Sequence, residues 1–244
     1  MWSGDPPGRR LRSCGIVLCI VVEQSNFVDR LTQDGCILLT RFLPELSSDE
    51  AFARLGMLDR IEGLNAVQTL KPSHKDQTTP NTYSGNFGNL CFPLHTDLAH
   101  WAVPPRYVAL RCILGACGVT TRLLDGRLLI ETIGIDALRR ALVQPRRPLR
   151  NRRQLLCLLE RCKSGTDHIL RWDTLFLTPA SPFGERISSI VLEYLSHAPT
   201  IDVYLEQPGD TLIIDNWRIL HGRSSIPENA SRRHIDRAYL AEVL

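Results

Sequence analysis

Lysine is nearly missing from this 244-residue sequence: Lys71, Lys75 and Lys163 are its only examples, so arginine carries almost all the positive charge. The net charge is only +3, too small to impose a field for nucleic acid over the whole surface. Single arginines still matter, because a planar guanidinium can grip a carboxylate with two hydrogen bonds. Long apolar runs are also missing. The run 14–22, preceded by Arg9, Arg10 and Arg12, imitates a signal peptide. A bilayer span needs about 20 residues, and no small-x-small cleavage site follows before Glu23. Its β-branched Ile16, Val17, Ile20, Val21 and Val22 predict a strand instead. No C-x-x-C pair occurs among the eight cysteines, and the C-x4-C gaps at Cys14/Cys19, Cys112/Cys117 and Cys157/Cys162 are not zinc-ribbon spacings. Most of these cysteines lie within apolar runs, where a free thiol acts as a small hydrophobe. A reduced, cytoplasmic protein without a membrane span is expected.

What is present reads as an ordinary globular chain, 43% hydrophobic and 23% charged. Residues 1–13 are expected to form a disordered lead-in and 14–244 a single domain. Asn26 should cap a short helix that stops at Gly35, with a buried strand over 36–40. Ser47 or Ser48, followed by Asp49 and Glu50, marks a helix predicted over 50–58. The polar stretch 71–89 reads as a long loop, with Tyr83 and Phe87 as candidates for a lid over a site. Strands are predicted at 107–114, 127–133, 202–205, 211–214 and 235–243, and helices at 135–142, 152–162 and 187–196. The fold class is therefore α+β and mainly β, with a double-stranded β-helix (jelly-roll) core and flanking helices.

The chemistry begins at His95-Thr96-Asp97. In extended chain, residues i and i+2 face the same way, so an imidazole nitrogen and a carboxylate oxygen can reach one metal ion. His221, in Asp215-Asn-Trp-Arg-Ile-Leu-His-Gly-Arg223, ends an apolar strand and supplies a third ligand. Two histidines and a carboxylate leave open positions on iron for a cosubstrate and O2, the facial triad of non-haem iron(II) oxygenases. Chance produces H-x-D often, and the tripeptide alone would carry little. Arg233, twelve residues after His221, changes that, since a buried arginine there can clamp a dicarboxylate. Thr121 offers a hydroxyl to the same carboxylate, and Thr120 is its alternative. Together these imply Fe(II) with 2-oxoglutarate as cosubstrate.

The order HTD, DNWRILHGR and R-H-x-x-x-A-Y resembles the taurine dioxygenase family of iron(II)/2-oxoglutarate oxygenases. The DNWRILHGR segment is most similar to its γ-butyrobetaine hydroxylase branch. Gly35–Arg41 with the SSDEAF helix, 92–99 and 104–108 extend the likeness to most of the chain. The resemblance implies that His95, Asp97 and His221 bind iron. It implies that Arg233 binds the distal carboxylate of 2-oxoglutarate, with Thr121 beside it. Oxidative decarboxylation to succinate and CO2 would accompany hydroxylation of an unactivated carbon. Asp97 argues against halogenation, because the halogenating members carry a small residue there. Arg237, four residues beyond Arg233, matches a substrate-anion arginine of the taurine pattern that the butyrobetaine branch lacks. The partner is then a small-molecule substrate expected to carry an acidic group, with no nucleic acid and no membrane; the oligomeric state is not legible. Asp215 or Asn216 could orient His221, and His100 and Trp101 could line the cavity. Competing readings are a peptide or protein hydroxylase or demethylase, using the arginines of 139–153 for an acidic chain, and a non-catalytic cupin-like binder. A zinc hydrolase would leave Arg233 without a role.

Overall fold

The computed structural model describes residues 27–80, 82–148, 154–162 and 167–244. The lead-in 1–13, the strand expected at 14–22, the capping Asn26 and part of the 146–153 arginine run lie outside the described residues. The chain is mainly β. In order, α1 (Phe27–Asp34), β1 (Cys36–Leu39), α2 (Ser48–Ala53), β2 (Gly56–Leu58), β3 (Val67–Leu70), α3 (Tyr83–Phe87) and β4 (Phe92–His95) come first. There follow β5 (Tyr107–Leu114), β6 (Thr120–Asp125), α4 (Gly126–Ile133), α5 (Ile135–Arg140), β7 (Leu142–Pro145), β8 (Leu156–Cys157), β9 (Leu159–Arg161), β10 (His168–Leu170) and β11 (Leu177–Pro179). The chain closes with α6 (Pro182–His197), β12 (Ile201–Tyr204), β13 (Thr211–Asp215), β14 (Ile219–Arg223) and β15 (His234–Val243).

Two antiparallel sheets organise the core. The larger runs β1-β13-β5-β15-β2, with β3 also on β15, and the smaller runs β12-β6-β14-β4. Side chains alternate across each strand, and the burial follows that period. Val108, Leu110, Leu212, Ile214, Ile235 and Tyr239 of the larger sheet share one cluster with Leu123, Val203 and Ile219 of the smaller. Their neighbours in sequence face outward to the helices. Ala109, Ile213 and Ala238 pack on Phe27, Leu31 and Phe52 of α1 and α2. Leu124 and Leu220 pack with Leu129, Leu138 and Val191 of α4, α5 and α6. Each fully buried Leu or Ile contributes about 1.5–3 kcal/mol.

Several expected elements come out differently. The segment 127–133 is helix α4, not a strand: the Asp125 carboxylate accepts the Arg127 N–H at 3.0 Å and caps it. Within 152–162 the described residues form β8 and β9 rather than a helix. Leu156, Leu158 and Leu159 are all buried there, so no one-sided period distinguishes strand from helix. The helix expected over 50–58 starts at a capping box, with the Ser47 hydroxyl accepting from the Glu50 N–H and the Glu50 carboxylate from the Ser47 N–H. It ends at Ala53, because Gly56 opens β2 against β15. A Cβ at Gly56 would lie 2.0 Å from the Glu242 carbonyl oxygen, so only glycine permits that approach. The polar stretch 71–89 contains α3, capped by the Thr82 hydroxyl, which accepts from the Gly85 N–H at 3.0 Å. Among the described residues no helix is long and apolar enough to cross a membrane.

Candidate metal site

The antiparallel register of β14 and β4 sets His221 directly opposite His95, with ring centroids 4.6 Å apart. Asp97 follows two residues after His95, just past the end of β4. The Nε2 atoms of His95 and His221 lie 3.4 and 3.6 Å from the same oxygen, Asp97 Oδ1. Adjacent ligands around a six-coordinate ion with bonds of about 2.1 Å would stand roughly 3 Å apart, so a small inward adjustment suits a metal. The three residues are all buried, at 6%, 5% and 7% exposure for His95, Asp97 and His221. Among the described residues they form the one metal-competent group of three such side chains.

Each ligand is aimed by specific neighbours. His95 Nδ1 lies 2.9 Å from the Pro93 carbonyl, which it can meet only as a donor, leaving the Nε2 lone pair toward Asp97. The Tyr83 ring of α3 stacks on the His95 ring at 4.1 Å. The other carboxylate oxygen of Asp97, Oδ2, accepts from Arg237 Nη1 at 2.9 Å and from the Tyr239 hydroxyl at 3.0 Å. Burial opposes the Asp97 charge, but Arg237 and then the two histidines outweigh it and hold the carboxyl well below its ordinary range. Burial holds His221 below the ordinary histidine range; at His95 burial acts the same way, but nearby Asp97, Asp173 and the Pro93 carbonyl together outweigh it and raise it.

The turn after β13 also serves this site, in a different way from that expected. Asn216, fully buried, accepts the Asp97 N–H at 2.7 Å and donates to the carbonyls of Asp97 and Pro105, both at 2.9 Å. Asp215 accepts from the Trp217 N–H and faces Arg106 at 3.8 Å. Neither residue hydrogen-bonds to the His221 ring, whose Nδ1 is buried without a hydrogen-bond partner among the described residues. Asn216 therefore orients Asp97, not His221. Asn216→Ala is expected to lower Fe(II) affinity roughly tenfold, read by anaerobic titration. Affinity equal to the parent's would show that the amide serves only the fold.

Arg233 precedes β15 and is 7% exposed. Its side chain makes no hydrogen bond or ion pair among the described residues, and its Nε is buried without a partner. Burial depresses its pKa. A desolvated, unpaired guanidinium is costly, and an incoming carboxylate would relieve that cost. Thr121 shares the inter-sheet face of β6 with Leu123, and its hydroxyl makes no hydrogen bond among the described residues. Thr120 points the other way and donates to Asp202 at 3.3 Å. Arg237 is engaged at both ends, by Asp97 and by Gln68 Oε1 at 2.6 Å, so it has no free terminal nitrogen for a substrate anion in this arrangement. A register shift at His234/Ile235 separates Arg233 from the regular strand that carries Arg237.

Sequence reasoning missed Tyr239, Gln68 and Asp173. Tyr239 was detectable, since it lies two residues after Arg237 on the same strand face. Asp173 is 4% exposed, and its Oδ1 accepts the N–H groups of Leu175 and Phe176 at 2.7 and 2.9 Å. Burial raises its carboxyl, with the nearby His95 pulling the other way, and no cation pairs with it among the described residues. The Tyr83 hydroxyl lies beside this carboxylate without a well-formed hydrogen bond. Phe176 packs its ring on Tyr83 and His100, at centroid distances of 5.8 and 5.3 Å. The expected lid residue Tyr83 thus covers His95, and Phe87 stacks behind it at 5.8 Å. Trp101 is held through its backbone carbonyl, which accepts from Arg171.

Comparison with known proteins adds an independent line. Residues 184–239, which include His221, Arg233 and Arg237, match the model of a family described as taurine catabolism dioxygenase TauD, TfdA family. No curated protein sequence matches the chain. Among solved structures, an asparagine oxygenase in complex with Fe(II), 2S,3S-3-hydroxyasparagine and succinate superposes with a TM-score of 0.65 at 17% identity, over 88% of this chain and 77% of that one. PvcB, an Fe, alpha-ketoglutarate dependent oxygenase from an isonitrile synthetic pathway, does so at 0.65 and 18%, over 90% and 80%. The non-heme iron oxygenase OrfP in complex with Fe, succinate and (3S)-hydroxy-L-Arg does so at 0.63 and 17%, over 89% and 79%. At these identities the likeness establishes the fold.

Proposed function

We propose that this protein is an iron(II)/2-oxoglutarate-dependent dioxygenase that hydroxylates an unactivated carbon of a small, amino-acid-like molecule carrying an acidic group. The observation that carries the reading is Arg233, a buried arginine without a partner among the described residues, in the segment that follows a buried His-Asp-His cluster. A metal site alone fits many activities; a metal site with a partnerless buried arginine fits a chelating dicarboxylate. The two sheets with one shared core are read as a double-stranded β-helix, and DNWRILHGR favours the γ-butyrobetaine hydroxylase branch.

His95, Asp97 and His221 would hold Fe(II), and two imidazoles with one carboxylate match what that ion takes in such oxygenases. When bound, iron and the ketoacid supply the oxidising power, with O2 consumed and succinate and CO2 released as one oxygen enters a C–H bond. Arg233 would grip the distal carboxylate, with the Thr121 hydroxyl as a second donor. Arg237 and Tyr239 hold Asp97 Oδ2, which leaves Oδ1 turned to the histidines. Tyr83, Phe176 and His100 wall the site with rings and limit water. Asp97 fills the position a halide would need, so hydroxylation is favoured over halogenation.

The substrate class rests on two groups. Asp173 is a buried carboxylate with no paired cation among the described residues, which suits an ammonium group. Arg237 could read a substrate acid by exchanging Gln68 for it, since its side chain keeps 24% exposure. The asparagine and arginine derivatives bound by the structural relatives are compatible with such a molecule. The test is succinate formation from 2-oxoglutarate with Fe(II), O2 and a panel of free amino acids, betaines and sulfonates. Succinate in step with a one-oxygen mass gain on an amino acid is expected. Turnover only with peptides would overturn the small-molecule reading, and no succinate with any substrate would overturn the enzyme.

A further inference from the structure

We infer that Arg171 and Thr96 are positioning residues that brace the metal-binding motif from behind, an inference that rests on the metal-site reading above. Thr96 lies between two of the proposed ligands and is fully buried. Its N–H donates to the Trp172 carbonyl at 2.8 Å, and its hydroxyl oxygen accepts the Trp172 N–H at 3.2 Å. The motif is thereby locked to segment 170–172, which is anchored in turn where the Leu170 N–H donates to the Trp217 carbonyl at 2.9 Å, beside Asn216.

Arg171 extends the lock past Asp97. Its guanidinium is completely buried and donates to the carbonyls of Ala99, Trp101 and Ala102, and to Glu160 Oε2 at 2.7 Å. Those three carbonyls belong to the turn that directly follows the metal motif, the Ala99 bond buried and the Trp101 and Ala102 bonds partly so, and one side chain serves them all. Leu98, between Asp97 and that turn, adopts a left-handed φ of 53°, a conformation disfavoured for a branched side chain. Strain of this kind persists only where the surroundings over-determine it.

Adjacent residues, Arg171 and Trp172, therefore hold the chain on both sides of the Asp97–Leu98 step. Asn216 grips the Asp97 peptide itself. Burying a guanidinium against a carboxylate that is 40% exposed is a poor source of stability, and burial depresses its pKa. What it gains is geometry: a planar fork satisfies several fixed carbonyls at once, which the compact ammonium of lysine cannot reproduce. The direction of the Asp97 carboxylate is the quantity this brace sets.

Co(II), titrated anaerobically into the purified chain, is the probe, read by affinity and by its d–d absorption, with melting temperature measured in parallel. Arg171→Lys and Thr96→Val are expected to weaken Co(II) binding roughly tenfold and to alter the absorption bands. Thr96→Ser, which keeps the acceptor oxygen, is expected to restore both. Should Arg171→Lys fail to fold, the Thr96 pair carries the test alone. Variants that melt lower but bind Co(II) with parent affinity and unaltered bands would overturn the inference and leave an ordinary fold brace. A parent chain that binds neither Co(II) nor Fe(II) would instead overturn the metal-site reading on which the inference stands.

Discussion

Replacing Arg233 by methionine is expected to act in opposite directions on the free and the cosubstrate-bound protein. Without 2-oxoglutarate the variant should be more stable than the parent. The parent holds a guanidinium whose buried Nε has no hydrogen bond and whose side chain has no ion pair among the described residues, and an unsatisfied buried group costs about 1–3 kcal/mol. Methionine keeps the packing of the stem without the charge. With 2-oxoglutarate the order should reverse. Losing one partner of a buried charge pair costs about 2–5 kcal/mol, or roughly a 30- to 4,000-fold rise in the dissociation constant. Thermal melting with and without 2-oxoglutarate reads both effects in one experiment, since a ligand that binds only the folded state raises the melting temperature. A variant that melts lower than the parent alone, yet gains as much from 2-oxoglutarate, would sink the assignment of Arg233. The same measurement tests Thr121, whose free hydroxyl should add a smaller increment.

The second large effect is loss of the metal. His221→Ala is expected to lower Fe(II) affinity by at least about a hundredfold, since even partners one shell out are worth 10- to 100-fold. Succinate formation should fall to background. The remaining His95 and Asp97 offer two donors in place of three. Without metal the variant should also melt somewhat lower, since a buried ring and its approach to Asp97 Oδ1 are lost. Anaerobic titration with Fe(II), set beside the melting curve, separates the two. Parent-like iron binding in the variant would remove His221 from the site.

How much of this was readable in advance depended on the kind of feature. The strand 107–114 was legible to the residue, because Val108, Leu110 and Cys112 face one buried layer while Ala109 faces another. The capping box at Ser47 was legible because its signal is local. The segments 127–133 and 152–162 were not, since leucines buried on several sides carry no clear period. The end of α2 was hidden for another reason. Gly56 is required by the backbone of Glu242, nearly the whole chain away, and nothing in the local pattern announces it.

The candidate site divides along the same line. Residue types and spacing alone supplied the donor set, His95, Asp97 and His221, and singled out Arg233, because the chemistry of iron and of a dicarboxylate restricts which side chains can serve. Only the tertiary structure separated two arginines four residues apart on the chain. Arg233 was left without a partner among the described residues, whereas Arg237 was committed to Asp97 and Gln68, residues 140 and 169 positions away. It also turned Asn216 toward Asp97 rather than His221, and brought Tyr83, Asp173 and Tyr239 to the triad. Which groups a side chain can bind is written in its own atoms. Which of them it meets is decided by packing between distant segments, where a buried group must find a hydrogen bond or stand ready for a ligand.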